Sequence, residues 1–482
     1  MSRTGAHVAG PTEGRARETT TAAAVAGARP LRVALLSYRG NPRSGGQGVY
    51  VRFLSRGLAR LGHEVTVFSG QPWPVVDEAE GVGLEKVPSL DLYREPDPFR
   101  LPKPSEFRSP VDLLEVATMM TGGFPEPLTF SLRVRAQLSG RRDQFDIVHD
   151  NQSFGRGLVG MMEDGWPVIG TCHHPVTVDR LLDVAHAPDR WSELSRRRWY
   201  RFVNMQNRVA QKLPRVITVS SSSRRDIVEQ MGVAPERMAV VPIGADHDLF
   251  RPMPGVPRVP GRIMTTASAD VPMKGLAYLL EALAKLRTTL PEAHLVVIGE
   301  PREDSAASQA MERLGLDGAV TFRPGVSERE LVELYTQASV VAVPSLYEGF
   351  SLPAVEAMAC EAPVVASAGG ALPEVVGPDG QAALLVPPAD AGALAAALGR
   401  VLSSGEGPFE GHRLGVRLGR AGRRRVLDRF TWAKCAAGVV EEYLTVLSGV
   451  EPGVHGERPR RRPHAEPVIG PGSGPAIGPA SC

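Results

Sequence analysis

Short β-rich runs alternate with amphipathic stretches twice along this chain, on either side of a segment that can form neither. Residues 31–37 (LRVALLS) read as a buried strand, 49–61 carry apolar residues at helical spacing, and 65–68 (VTVF) read as a strand again. Strand, helix and strand in that order make a parallel pair with a crossover. Further strands are expected at 147–148, 168–171, 216–219 and 238–242, which completes one doubly wound layer. At 246–261 (DHDLFRPMPGVPRVPG) four prolines remove backbone donors and fix φ, so this stretch is expected to be an irregular linker. Beyond it the pattern restarts, with strands at 263–267, 294–298, 320–322, 340–343, 364–366 and 383–386. Helices are expected between them at 275–286, 328–337, 353–358 and around 390–428. The architecture this implies is α/β: two Rossmann-like doubly wound parallel-sheet domains, 31–250 and 251–430, facing each other across a cleft. An amphipathic segment at 431–448 is expected to pack back on the first domain. Open sheets of this kind bind ligands at the carboxyl ends of their strands, so the cleft is the expected site.

At 482 residues the chain is long enough for two separate cores, and 43% apolar with 22% charged residues excludes wholesale disorder and a membrane-dominated chain. No apolar run is long enough to span a bilayer. Residues 1–30 lack the apolar run of a signal peptide and read as a disordered arm. Residues 452–482, rich in Gly and Pro, read as a disordered tail whose arginines are solvated, with a weak peripheral contact to anionic lipid as the alternative. Each end carries four Arg against two Glu, so of a net charge of +2 the chain between them keeps a small negative excess. That disfavours nucleic acid as a partner. Four scattered cysteines without a CxxC pair fit a reduced, cytoplasmic setting, with attachment to the inner face of the membrane as the variant reading; oligomeric state is not legible.

The stretch 344–356, PSLYEGFSLPAVE, follows the strand VVAV and opens a helix. Gly349, Phe350, Ser351 and Leu352 would present backbone N–H groups there, with Ser351 as N-cap and Pro353 in the first turn. Such a helix start attracts anions, notably phosphate. Glu348 and Glu356 flank it, and a carboxylate beside an anion site serves better as acceptor for hydroxyls. Lys274, one of only six lysines, precedes Gly275 at a strand-to-helix loop. Gly45 and Gly46 lie in SGGQG between the first strand and first helix, where small residues let backbone approach a ligand. A dinucleotide fingerprint is not met: GxGxxG is incomplete and the second strand ends in Phe68-Ser69-Gly70 without an acid for a ribose. His173 and His174 end the strand at 168–171, His149 and Asp150 end another and are expected to line the same mouth, and no third ligand stands at metal spacing. The D-x-D at 246–248 sits in the linker and reads as structural.

Glu348 and Glu356, seven residues apart within PSLYEGFSLPAVEAMA and followed by APVVAS, AGG, PEVV and LLVPP, resemble the EX7E block of the family-4 retaining glycosyltransferases of the GT-B fold. The likeness runs from about residue 31 to 447. It implies a donor site in which Glu348 lies near the hexose, Glu356 holds the nucleotide ribose, and Lys274 with the amides of 349–352 meets the diphosphate. His173 is implied near the reacting sugar, with Gly45 and Gly46 facing the donor phosphates. The implied activity is retaining hexosyl transfer from a nucleotide sugar to a hydroxyl of a small molecule, a glycan or a lipid-linked acceptor, by front-face displacement and with no cofactor or obligatory metal. The alternatives are another nucleotide-sugar reaction such as epimerisation, or a noncatalytic sugar-nucleotide sensor. Three positions depart from the family pattern. Glu361 and Ala383 stand where glycine is usual, and Ala269 stands where an Arg usually precedes the lysine, leaving Arg262, Arg323 or an N-domain arginine to supply the second cation.

Overall fold

A computed structural model describes residues 29–40, 46–94, 96–185, 187, 189–266, 272–300, 305–403 and 410–449. Two parallel sheets organise them. The first joins β1 (Arg32–Ser37), β2 (Glu64–Ser69), β3 (Gly83–Lys86), β4 (Ile147–Asn151), β5 (Val168–Cys172), β6 (Arg215–Thr218) and β7 (Met238–Val240), in the order β3-β2-β1-β4-β5-β6-β7. The second joins β8 (Val259–Thr265), β9 (His294–Ile298), β10 (Val320–Arg323), β11 (Ala338–Val343), β12 (Val364–Ser367) and β13 (Leu384–Val386), in the order β10-β9-β8-β11-β12-β13. Both reverse direction beside their first strand, at β1/β4 and β8/β11, which is where a doubly wound sheet opens a crevice for ligand.

The unbroken apolar strands follow from burial on both faces. In β1, Leu35 joins one core cluster with Val67 and Ile147, while Ala34 and Leu36 join another with Phe68 and Val148. In β8, Met264 and Ile263 divide in the same way. Each such fully buried aliphatic side chain stabilises the fold by about 1.5–3 kcal/mol.

The final helix, Trp432–Leu447, leaves the second domain and packs on the helix Gly46–Arg60 of the first, with Trp432 stacked 5.3 Å from Phe53. Its Tyr443 hydroxyl reaches His149 Nδ1 at 2.7 Å. His149 Nε2 in turn pairs with Thr171 Oγ1 at 2.7 Å.

The structure corrects several expectations. β8 begins inside the proline-rich stretch, taking in Pro260 and Gly261; its pairing with β11 shifts register there, so the proline falls at an irregular strand start where no ladder is broken. β3 was not legible because GLEK holds one apolar residue at a sheet edge. Arg29, within the arm, is docked: its guanidinium lies 3.0 Å from Asp146 Oδ1, a carboxyl that Arg32 first and Arg29 after it hold well below the usual range. The remainder of 1–28 and the tail lie outside the described residues. Glu361 adopts the left-handed conformation at φ 57°, which explains why glycine suits that position, whereas Ala383 has ordinary backbone and needs no glycine.

Candidate functional site

The second domain contributes two turns pressed together. Gly275 has φ +70°, and a Cβ there would fall 2.0 Å from the Pro344 carbonyl oxygen, so only glycine lets the lysine turn approach the turn after β11. The Leu346 N–H donates to the Met273 carbonyl at 2.8 Å, locking the two. As a result Lys274 Nζ lies 2.8 Å from Glu348 Oε1, which also accepts from Ser345 Oγ at 2.7 Å. Thr265, Thr266, Lys274, Ser345, Glu348 and Pro353 line a narrow cavity around this pair.

Next to it the helix Leu352–Ala359 begins. Ser351 occupies the cap position but does not cap: its φ is 91°, and its buried hydroxyl has no partner. A non-glycine residue in the left-handed region costs about 1–3 kcal/mol, and a buried hydroxyl without a hydrogen bond adds to that. Both costs fall where a ligand oxygen would supply the missing bond. The N–H groups of Gly349, Phe350 and Ser351 likewise find no acceptor among the described residues. The Phe350 side chain is not part of the opening, because it is buried against Phe430 at 5.5 Å. Leu352 is the first helical residue and half-buried.

One turn into the helix, Glu356 accepts from the Tyr335 hydroxyl at 3.2 Å. Burial pushes its carboxyl up to about 7, with the Tyr335 hydrogen bond opposing and the nearby Glu328 adding to the rise. Ionised, this carboxylate has capacity for further hydroxyl donors.

On the first domain, His173 stands just past the end of β5, half-buried. Its Nε2 lies 2.8 Å from Asn151 Oδ1, its backbone N–H donates to Gln152 Oε1 at 2.7 Å, and the Tyr50 ring meets it edge-on at 4.6 Å. Burial, then His174 and His149, push the imidazole down to about 3, so it is neutral near pH 7. Asn151 and Tyr50 carry no sequence motif of their own. Asn151 Nδ2 is buried and unpartnered beside the histidine. His149 and Asp150 do not line the mouth: both are fully buried, His149 bridging Tyr443 and Thr171, Asp150 accepting from Ser153 and from the Phe154 N–H at 2.9 Å. Gly46 opens the helix at 46–60; Gly45 lies outside the described residues.

Arg262 and Arg323 line a separate groove with His294, Thr321 and Gln337, where Arg262 bonds Gln337 and His294, so neither faces Lys274. The N-domain guanidinium that crosses the cleft is Arg52, 3.7 Å from Glu328 Oε1. Asp246 of the D-x-D is paired with Arg56 at 2.8 Å. Among the described residues no three His, Cys, Asp or Glu side chains converge as a metal-binding group, and no helix is long and apolar enough to cross a membrane.

Two doubly wound sheets facing across a cleft, with an open helix start and a lysine–carboxylate pair on one wall, define the GT-B architecture. Two family models match in tandem: Glycosyltransferase Family 4 over residues 44–249 and Glycosyl transferases group 1 over 257–425. The chain is 52% identical over 421 residues to an MMP alpha-(1->4)-mannosyltransferase of Mycolicibacterium hassiacum, covering 87% of this chain and 99% of that protein. It is 30% identical to a D-inositol 3-phosphate glycosyltransferase of Kineococcus radiotolerans, covering 86% and 94%. Among solved structures, sucrose-phosphate synthase from Thermosynechococcus elongatus superposes with a TM-score of 0.64 at 25% identity, over 87% of this chain and all of the other. Anabaena HepE in complex with UDP and glucose shares the fold, with a TM-score of 0.61 at 17% identity over 86% of this chain and all of the other. The chain belongs to the glycosyltransferases of the GT-B fold.

Proposed function

We propose that this glycosyltransferase moves a hexose from a nucleoside-diphosphate donor to an acceptor hydroxyl with retention, and that the hexose is mannose joined in an α linkage. The observation that carries the reading is the Lys274–Glu348 pair set against the open start of the 352–359 helix, where Ser351 Oγ is orphaned. An ammonium has three N–H donors, and Glu348 engages one. The others serve a diphosphate, together with the N–H groups of 349–351. Glu356 takes the ribose hydroxyls, and Glu348 the hexose. The mannosyl assignment rests on the Mycolicibacterium relative, whose name specifies α-(1→4)-mannosyl transfer.

In the reaction the bond from the anomeric carbon to the phosphate oxygen breaks and one to the acceptor oxygen forms on the same face. Negative charge grows on the departing diphosphate, and Lys274 and the helix start stabilise it. The acceptor hydroxyl gives its proton to the leaving phosphate oxygen. His173, neutral at pH 7, faces the reacting sugar as a hydrogen-bonding group held in orientation by Asn151. Closure of the two domains excludes water that would hydrolyse the donor.

Thermal-shift screening of GDP-, UDP- and ADP-hexoses, followed by transfer to α-mannoside acceptors, tests the reading. A donor that binds only the folded state raises Tm. An epimerase would convert donor with no acceptor present, and a sensor would bind without turnover.

A further inference from the structure

The walls of the cleft are fastened to each other beside Glu348, and the fastening acts on the peptide that follows it. Ser220, two residues past β6, caps the short helix Ser221–Asp226 of the first domain. Its hydroxyl accepts from the Ser223 N–H at 3.0 Å and donates across the cleft to the Gly349 carbonyl at 2.7 Å. The Ser223 hydroxyl lies 3.2 Å from that same carbonyl and 3.2 Å from the His173 carbonyl, so one side chain stands between the two halves of the site. The return contact comes from Glu374, in the helix Leu372–Val376 of the second domain. Its carboxylate accepts from the Ser221 and Ser222 N–H groups at 2.8 and 2.7 Å. Beside them the Tyr347 hydroxyl donates to Asp226.

These contacts fix more than the distance between domains. The Ala371 N–H, three residues before Glu374, donates to the Glu348 carbonyl at 2.8 Å. Two successive carbonyls are therefore held, Glu348 by its own domain and Gly349 by the other. A trans peptide is planar, with its C=O and N–H antiparallel. Holding the Gly349 carbonyl against Ser220 and Ser223 thus aims the Phe350 N–H away from the first domain, while the Ala371 bond to the Glu348 carbonyl fixes the Gly349 N–H from within the second domain. Gly349 sits so near the first domain that a Cβ there would lie 3.0 Å from the His173 carbonyl oxygen. Open the cleft, and the Phe350 N–H loses the restraint that aims it.

We propose that Ser220, Ser223 and Glu374 are positioning residues for the transfer: closure of the cleft, through these three side chains, aims the Phe350 amide at the diphosphate. The proposal rests on the donor-site reading above, and none of the three side chains touches substrate. Charge-assisted bonds to Glu374 are the stronger part of the fastening, and the serine hydroxyls are the part that sets direction.

The test uses the full chain with Ser220→Ala/Ser223→Ala and, separately, Glu374→Gln. The first readout needs no ligand: hydrogen exchange at Ser221 and Ser222, whose amides are held across the cleft by Glu374 and report whether the two walls stay fastened. Exchange there should be about tenfold faster in the double variant than in the wild type, with protection in β1 and β11 unchanged. The second readout is steady-state transfer, in which kcat should fall about tenfold or more with donor KM within about twofold, the pattern of an interaction used in the transition state. Unchanged exchange at Ser221 and Ser222 overturns the fastening. Faster exchange with unchanged kcat overturns its part in transfer. Should the double variant not fold, Glu374→Gln, at a half-exposed position in the other domain, decides by the same two readouts. A wild-type chain that transfers no hexose would sink the functional reading, while the exchange result would still decide whether the fastening exists.

Discussion

Lowering the pH from 8 to 6 should weaken binding of the nucleotide sugar about tenfold, and Glu356 should be the cause. Its carboxyl lies at about 7 in the free protein, against an ordinary 4.5, because burial disfavours the charge. The sign follows from that rise. In the unliganded fold the neutral form gains ground below about pH 7, and the stability it contributes, complete below 4.5, is lost as pH climbs through about 7. Ribose hydroxyls donate to the ionised form, so binding favours ionisation and affinity grows with pH. If only the carboxylate binds, the apparent Kd scales as one plus ten to the power of pKa minus pH, about 1.1 at pH 8 and about 11 at pH 6. His149 and His173, both pushed down to about 3, do not titrate in this window. Asp150, pushed up by burial to about 6, does, but it is committed to Ser153 and Phe154 beneath the surface. The diphosphate of a nucleotide sugar is a diester without a titration there. Calorimetry at pH 6, 7 and 8 with acceptor withheld, on wild type and Glu356→Gln, measures the effect. The glutamine variant should be nearly flat. A flat wild type, or an equal tenfold fall in the variant, would refute the assignment of Glu356 to the ribose.

Lys274→Ala should lower transfer by about 10²- to 10³-fold, since it removes a cation from the leaving group; kinetics on the folded variant check this, and unchanged turnover removes Lys274 from the site. Glu356→Gln should weaken both the bare nucleoside diphosphate and the full donor, by about 1.5–3 kcal/mol for hydrogen bonds to a charged acceptor, whereas Glu348→Gln should spare the bare nucleotide and lower turnover. Equal loss of nucleotide affinity in both would contradict that division. Tyr443→Phe leaves His149 Nδ1 buried without its 2.7 Å partner and should cost about 1–3 kcal/mol in denaturant unfolding. No change in stability would mean the final helix is not braced through that bond.

The inner strands were legible because they are buried on both faces and read as unbroken apolar runs, as in LRVALLS and ASVVAV. The edge strand Gly83–Lys86 and the helices between it and β4 were not, since half-exposed elements leave no such run. Local chemistry at two strand-to-helix turns singled out Glu348, Glu356 and Lys274 as candidates, and their expected roles came from the family resemblance. Their mutual arrangement was not legible: only the fold shows Lys274 paired with Glu348, because the contact spans two loops brought together by Gly275. Arg52, Asn151, Ser220 and Glu374 were missed for a related reason. Each is an ordinary polar residue whose partner lies on another strand or across the cleft, and sequence spacing carries no trace of such a pairing. The capping expectation for Ser351 failed because its backbone turns left-handed, which points the hydroxyl away from its own helix.

The central claim is retaining transfer of a hexose, and the anomeric configuration of the product tests it most directly. Incubation of the chain with GDP-mannose, an α-configured donor, and a short α-mannoside acceptor, followed by NMR of the new linkage, reads that configuration from the one-bond coupling at the anomeric carbon. The account predicts a new α linkage whose formation is lost in Lys274→Ala. A β linkage would contradict retention, and conversion of no nucleotide hexose in the panel would contradict the donor site itself.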